Sequence, residues 1–110
     1  MDEHPSEIVV ALSTAPDEAT AARIAEALVE RRLAACVNVL AGIRSTYRWK
    51  GEVQRDDEAL LLIKTTRAGI EALKAALPGL HPYEVPELVV LPVRGGSEAY
   101  LRWVAEGVEH

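Results

Sequence analysis

The chain has 110 residues, 49% of them apolar and 26% charged, with a net charge of −5 and a pI near 5.2. A single domain of this size buries roughly 65% of its unfolded surface, and the lack of any lysine or arginine cluster excludes the positive stripe that nucleic-acid backbones require. No apolar run approaches the ~20 residues that cross a bilayer, and Met1-Asp2-Glu3-His4 is unlike a signal peptide, so a cytoplasmic protein with no membrane partner is expected.

Phenylalanine is absent and Met1 is the only methionine, which leaves Val, Leu, Ile and Ala to build the core. Cys36 is the only cysteine; one thiol excludes an intramolecular disulfide framework and a zinc site of the CxxC kind. Asn38 and Gln54 are the only side-chain amides, and arginine outnumbers lysine nine to three. A hot habitat produces this bias, and so does a GC-rich genome.

Residues 1–6 are expected to be disordered, with the folded domain over residues 7–107. Ile8-Val9-Val10-Ala11-Leu12 is a continuous apolar run of strand length, as for a central strand covered on both faces. Thr14-Ala15-Pro16-Asp17 has the chemistry of a helix start, with Thr14 as the hydroxyl cap. Ala21, Ile24, Ala25 and Leu28 then recur with helical spacing to about Arg31. From Leu33 to Thr65 the pattern turns to strand, so that Cys36 and Asn38 share one face. Ala41-Gly42 marks a bend or bulge and Lys50-Gly51 a turn, after which the chain returns through Ala59-Leu60-Leu61-Leu62-Ile63. Both arms exceed the usual ~5–6 residues, and so long a ribbon is expected to have a partner.

Thr65 or Thr66 caps a second helix with Ile70, Leu73 and Leu77 inward, ending at Pro78-Gly79. A stiff polar loop, His81-Pro82-Tyr83-Glu84-Val85-Pro86-Glu87, leads into a strand over Leu88–Val93. Ser97 caps a short last helix that ends near Gly107, with Tyr100 and Trp103 expected to pack against the sheet. The order is β-α-β-β-α-β-α, an α+β, ferredoxin-like sandwich with an additional C-terminal helix. Its last strand lies at a sheet edge, and Leu88-Val89-Val90-Leu91 is apolar on both faces. Such an edge invites pairing, so a homo-oligomer formed by strand addition is expected.

Four segments together resemble the CutA family of divalent-cation tolerance proteins: Leu33–Asn38, Ser45–Glu52, Glu58 through Leu62-Ile63-Lys64-Thr65, and His81–Glu87. The likeness spans roughly residues 8–106 in order. It implies a compact homotrimer, PII-like in architecture, with sheets inward and helices outward, and an association with copper and other divalent cations.

Two site readings follow. Thiolate and imidazole suit copper by ligand softness, which makes Cys36 and His81 the candidate metal ligands, separately or together; a thiolate-rich site would need symmetry to gather several Cys36. The alternative is that Cys36 is a small buried hydrophobe and His81 a hydrogen-bonded loop histidine. The second reading is a candidate inter-subunit cleft formed by Tyr47, Trp49, Lys50, Glu52, Lys64, His81, Tyr83 and Glu84, open to a small metabolite as in a PII-like regulatory trimer, or a surface presented to a protein partner. In the bland version Tyr47 and Trp49 are interface anchors and Lys64 pairs with a carboxylate. Asp56-Asp57-Glu58 reads as a solvated charged segment, and His4 and His110 as adventitious metal binders at most. No nucleophile elbow, HExxH or phosphate-binding glycine loop is present, so no enzymatic activity is expected.

Overall fold

A computed structural model describes residues 7–109; the tail expected to be disordered, residues 1–6 including His4, lies outside the described residues, as does His110. The elements are β1 (Ile8–Ala15), α1 (Glu18–Glu30), β2 (Cys36–Trp49), β3 (Glu52–Thr66), a 3-10 turn (Arg67–Gly69), α2 (Ile70–Leu80), β4 (Val89–Pro92) and α3 (Glu98–Gly107). The strands form one antiparallel sheet in the order β2-β3-β1-β4. This is the ferredoxin-like order expected, with α3 appended, and it puts β4 at an edge.

Several boundaries differ from the expectation. β1 continues to Ala15, because its ladder with β3 runs unbroken from Ile8 opposite Thr66 to Ala15 opposite Ala59. Thr14 is therefore strand, and Asp17 caps α1 by accepting from the Thr20 N–H at 2.7 Å. That bond and the Thr20 side chain hold the Asp17 carboxyl below its ordinary value. Helix α2 does not stop at Pro78 but runs through it to Leu80, since Leu77 and Leu80 both pack on the core. β4 covers Val89–Pro92 rather than Leu88–Val93.

The core lies on one face of the sheet. Val9, Ala11, Ser13 and Ala15 of β1, with Ala59, Leu61, Ile63 and Thr65 of β3, are buried. Ala21, Ile24 and Leu28 of α1 and Leu73 and Leu77 of α2 cover the centre of that face. Small residues in β1 let the helices approach closely, and the two hydroxyls on this face of the sheet find partners. Ser13 donates to the Glu87 carbonyl at 2.7 Å, and Thr65 to the Leu33 carbonyl at 2.8 Å. No buried side-chain polar atom among the described residues lacks a hydrogen bond, as the cost of burying one unpaired requires.

The ribbon made by β2 and β3 sets the longest dimension of the molecule, 43 Å. Trp49 pairs with Glu52 across the two-residue turn Lys50-Gly51. Both turn residues have positive φ, +52° and +81°, the type I′ geometry whose twist matches that of the strands. The irregularity expected at Ala41-Gly42 is a bulge: from Leu40 to Ile43 β2 advances three residues while β3 advances two, from Leu60 to Glu58. Gly42 takes φ +78° there. The extra residue inverts the facing of β2, so that Ser45, Tyr47 and Trp49 share a face with Cys36, Asn38 and Leu40.

Helix α3 buries Val104, with Val108 just beyond it. Its end sits tight on the start of β2, where a Cβ on Gly107 would meet the Ala35 Cβ at 2.9 Å. Tyr100 lies beside Cys36 at the start of β2, yet neither it nor Trp103 is buried: they are 42% and 52% exposed and stack on each other at 5.6 Å. The inward positions of this helix are Leu101 and Val104, one and four residues after Tyr100, which leaves the two rings on its flank.

The bulge conformation is closed to side chains that avoid positive φ. Gly42→Val should lower the unfolding free energy by about 1–2 kcal/mol or more, read from the midpoint of urea denaturation. Leu28→Ala, in the middle of the core, should cost about 2–5 kcal/mol in the same assay.

Candidate functional site

The loop between α2 and β4 is held by His81, which is 7% exposed. Its Nε2 lies 2.6 Å from the Thr14 carbonyl oxygen, and its Nδ1 accepts from the Tyr83 N–H at 3.1 Å. An N–H donor at Nδ1 and a carbonyl at Nε2 select the neutral tautomer with the proton on Nε2. The imidazole thus pins the loop to the end of β1 and lies 4.7 Å from the Tyr83 ring, centroid to centroid. Ser13 fixes the far end of the loop at Glu87.

Tyr83 so placed donates its hydroxyl to Glu58 Oε2 at 2.6 Å. On the ribbon, Tyr47 makes the same kind of bond to Asp56 Oδ2. Burial, then the Glu58 bond and the Glu58 and Asp56 charges, push the Tyr83 phenol well above its ordinary range. For Tyr47 the Asp56 bond is the main cause of a shift in the same direction. Both phenols therefore stay protonated and act as donors.

Between loop and ribbon opens a cleft of about 650 Å³, lined by Thr14, Ser45, Thr46, Tyr47, Trp49, Asp56, Glu58, Tyr83, Glu84, Val85 and Glu87. It contains four carboxylates and three aromatic rings, with no lysine, arginine or histidine among the described lining residues. Of the residues expected to form a cleft, Tyr47, Trp49, Tyr83 and Glu84 line this one, with His81 behind Tyr83. Lys50 and Glu52 stand at the ribbon turn beside it without lining it.

Lys64 is elsewhere. It pairs with Cys36 across the ladder, six residues along β3 from Glu58, or roughly 20 Å at ~3.3 Å per residue. Its ammonium donates to the Asn38 amide oxygen rather than to a carboxylate. Cys36 is a free, partly exposed thiol at this end, with its Sγ 3.9 Å from Asn38 Oδ1 and Tyr100 beside it. Cys36 and His81 are thus not brought together within one chain. Among the described residues no three His, Cys, Asp or Glu side chains gather into a metal centre.

The acidic run divides by strand parity. Asp57 pairs with Arg44 at 3.1 Å, both largely exposed, as a solvated segment should. Exposed Asp56 and half-buried Glu58 face the other way and border the cleft. The signal for them was the i, i+2 spacing opposite Ser45 and Ile43, visible once the bulge sets the register.

His81→Ala leaves the Thr14 carbonyl and the Tyr83 N–H without their partner, and should destabilise the chain by about 1–3 kcal/mol in urea denaturation. The raised phenols also make a pH prediction. Their contribution to stability is complete below the unfolded phenol value near ~10 and is lost as pH rises through the higher folded values. A phenolate absorbance titration should show Tyr83 ionising late, and Glu58→Gln should move it part of the way back, since burial remains.

The family model described as CutA1 divalent ion tolerance protein matches residues 9–107. The divalent-cation tolerance protein CutA of Thermus thermophilus is 54% identical over 97 residues, covering 88% of this chain and 94% of that protein. Human Protein CutA is 45% identical over 105 residues, which cover 96% of this chain and 59% of the human protein. Among solved structures, that of the Thermus thermophilus protein superposes with a TM-score of 0.91 at 51% identity, covering 93% of this chain and 99% of that one. CutA1 from Oryza sativa also gives 0.91, at 39% identity and 94% coverage of each chain. With sequence, fold and strand order in agreement over nearly its whole length, the chain belongs to the CutA1 divalent ion tolerance protein family.

Proposed function

We propose that the chain acts in tolerance to divalent cations as a non-enzymatic, cytoplasmic homotrimer, and that it meets those cations loosely through the carboxylates of the cleft. The observation that carries this reading is the lining: Asp56, Glu58, Glu84 and Glu87 border one space with no basic side chain among the described lining residues. Such a wall raises the local concentration of cations and repels anions. Carboxylate and phenol oxygens are hard donors, suited to divalent ions that keep much of their water. Loose binding follows from the geometry, because the described residues of one chain gather no three-ligand group. The family description and the name of the Thermus relative, both phrased as tolerance to divalent ions or cations, support the same reading.

The trimer rests on the exposed edge. Val89 and Leu91 of β4 are 47% and 45% exposed in the single chain, on a strand whose outer side has no partner in the sheet. A second copy laid along it covers both deficits. Copper enters the proposal at Cys36, the soft donor of the chain, with His81 serving the cleft by orienting Tyr83. Cytoplasmic residence is supported by the free thiol; in addition, no helix among the described residues is long and apolar enough to cross a membrane.

Native mass spectrometry of the full chain, titrated with Mn(II) and separately with Cu(II), tests these assignments. The expected result is a trimer taking up Mn(II) in whole steps, weakened several-fold by Asp56→Asn/Glu58→Gln, and Cu(II) uptake reduced by Cys36→Ala. Equal Mn(II) uptake by the double variant removes the cleft from the reading, and equal Cu(II) uptake by Cys36→Ala removes the thiol.

A further inference from the structure

We infer that the cleft between the His81–Glu87 loop and the ribbon is a binding site for an extended organic cation, a linear alkyl diamine or polyamine. The inference shares with the proposed function the acidity of this cleft, but it does not depend on metal binding. Three features of the site lead to it.

The first is size. About 650 Å³ falls within the ~300–1,000 Å³ of small-molecule sites, whereas a bare divalent ion fills a small part of it. The second is the arrangement of charge. Asp56 is tied to Tyr47 on the ribbon, Glu58 to Tyr83 across the cleft, and Glu84 and Glu87 belong to the loop. The carboxylates border one space without converging on one point. A ligand that complements dispersed negative charge must itself disperse positive charge, as ammonium groups separated by methylenes do. Asp56 and Glu58 each give one acceptor position to a phenol and keep others for an ammonium.

The third is the wall. Trp49, Tyr47 and Tyr83 offer apolar surface to a methylene chain and ring faces to its ammonium ends. A bare metal ion makes no use of these rings. The indole already meets a cation: the Lys50 ammonium stands 6.0 Å from the Trp49 ring centroid, at the outer limit of a cation–π contact. The ring is therefore presented to an ammonium, and the existing contact is weak enough for a ligand to displace. The phenols, held protonated by burial and the Glu58 bond at Tyr83 and by the Asp56 bond at Tyr47, leave the net charge of the lining strongly negative.

Isothermal titration of the full chain with butylamine, 1,4-diaminobutane and spermidine tests the site. The expected result is saturable binding at one site per chain, tightening about threefold to fivefold for each added ammonium and weakening as salt is raised. Trp49→Ala removes no charge and should weaken spermidine binding about fivefold, with Trp49→Tyr restoring most of it. Glu58→Gln should weaken it by a similar factor. Trp49 lies at the exposed end of the ribbon, so loss of the fold, checked by circular dichroism, is not expected. Absence of saturable binding, equal affinity for the monoamine and the polyamine, or binding unchanged in both variants would overturn the inference. Mn(II) titrated into the same samples separates the two readings. Mn(II) bound at the cleft without spermidine defeats this inference alone; spermidine bound without Mn(II) defeats the metal reading alone.

Discussion

Side chains along a β-strand alternate between two faces, so one unpaired residue inverts the facing of everything that follows it. The bulge at Ala41-Gly42 does this in the middle of β2. Before it, Cys36, Asn38 and Leu40 occupy the face opposite the helices; after it, Ser45, Tyr47 and Trp49 do. Without the extra residue Tyr47 would point away from Asp56, and β2 would turn Arg44 and Arg48 to the face that carries Asp56 and Glu58. The ribbon would lose its aromatic rings there and gain cations beside the acids. Gly42, at φ +78°, is the residue that makes this inversion sterically inexpensive.

The other wall depends on a histidine that does structural work. His81 uses both ring nitrogens within the chain, one toward the Thr14 carbonyl and one from the Tyr83 N–H. Proline at 82 and 86 stiffens the same loop, and Ser13 holds its far end. These anchors reach into β1, which like β3 is paired on both sides in the sheet. The loop that carries Tyr83, Glu84 and Glu87 is therefore fixed to an interior strand, as precise placement of a site demands. The phenol of Tyr83 then bridges loop to ribbon through Glu58, joining the two walls.

The sheet separates two chemistries along its length. At one end are the thiol of Cys36, the Asn38 amide and the Lys64 ammonium, with Tyr100 beside the thiol. At the other end are carboxylates and phenols with no basic lining side chain among the described residues. Soft and hard donors thus lie apart within one chain, and any contact between them would require a second copy. The exposed apolar residues of β4 and of the ribbon on the face opposite the helices, among them Leu40 and Leu91, form the surface on which strand pairing would act.

Local chemistry was enough to read much of this fold. Apolar periodicity marked both core helices, Gly42 and Lys50-Gly51 announced the bulge and turn, and the β-α-β-β-α-β-α order left few topologies open. Errors fell where tertiary contacts compete with local signals. Thr14 has the chemistry of a cap, yet eight ladder pairs with β3 draw it into the strand; Pro78 has the chemistry of a stop, yet Leu80 packs on the core and carries the helix past it. Tyr100 and Trp103, expected to pack against the sheet, stay half exposed because the neighbouring Leu101 and Val104 take the inward face of α3.

By itself the sequence determined the residue types at the site, the stiffness of the loop and the family likeness, because each depends only on composition or on neighbours in the chain. It also determined the acidity of the Asp56-Asp57-Glu58 run. Only the tertiary structure decided which of those acids enters the cleft, that His81 turns inward to hold Tyr83, and that Lys64 and Cys36 stand apart from the cleft. Those outcomes depend on register across strands distant in sequence, and a shift of one residue in that register reverses the face of every side chain concerned.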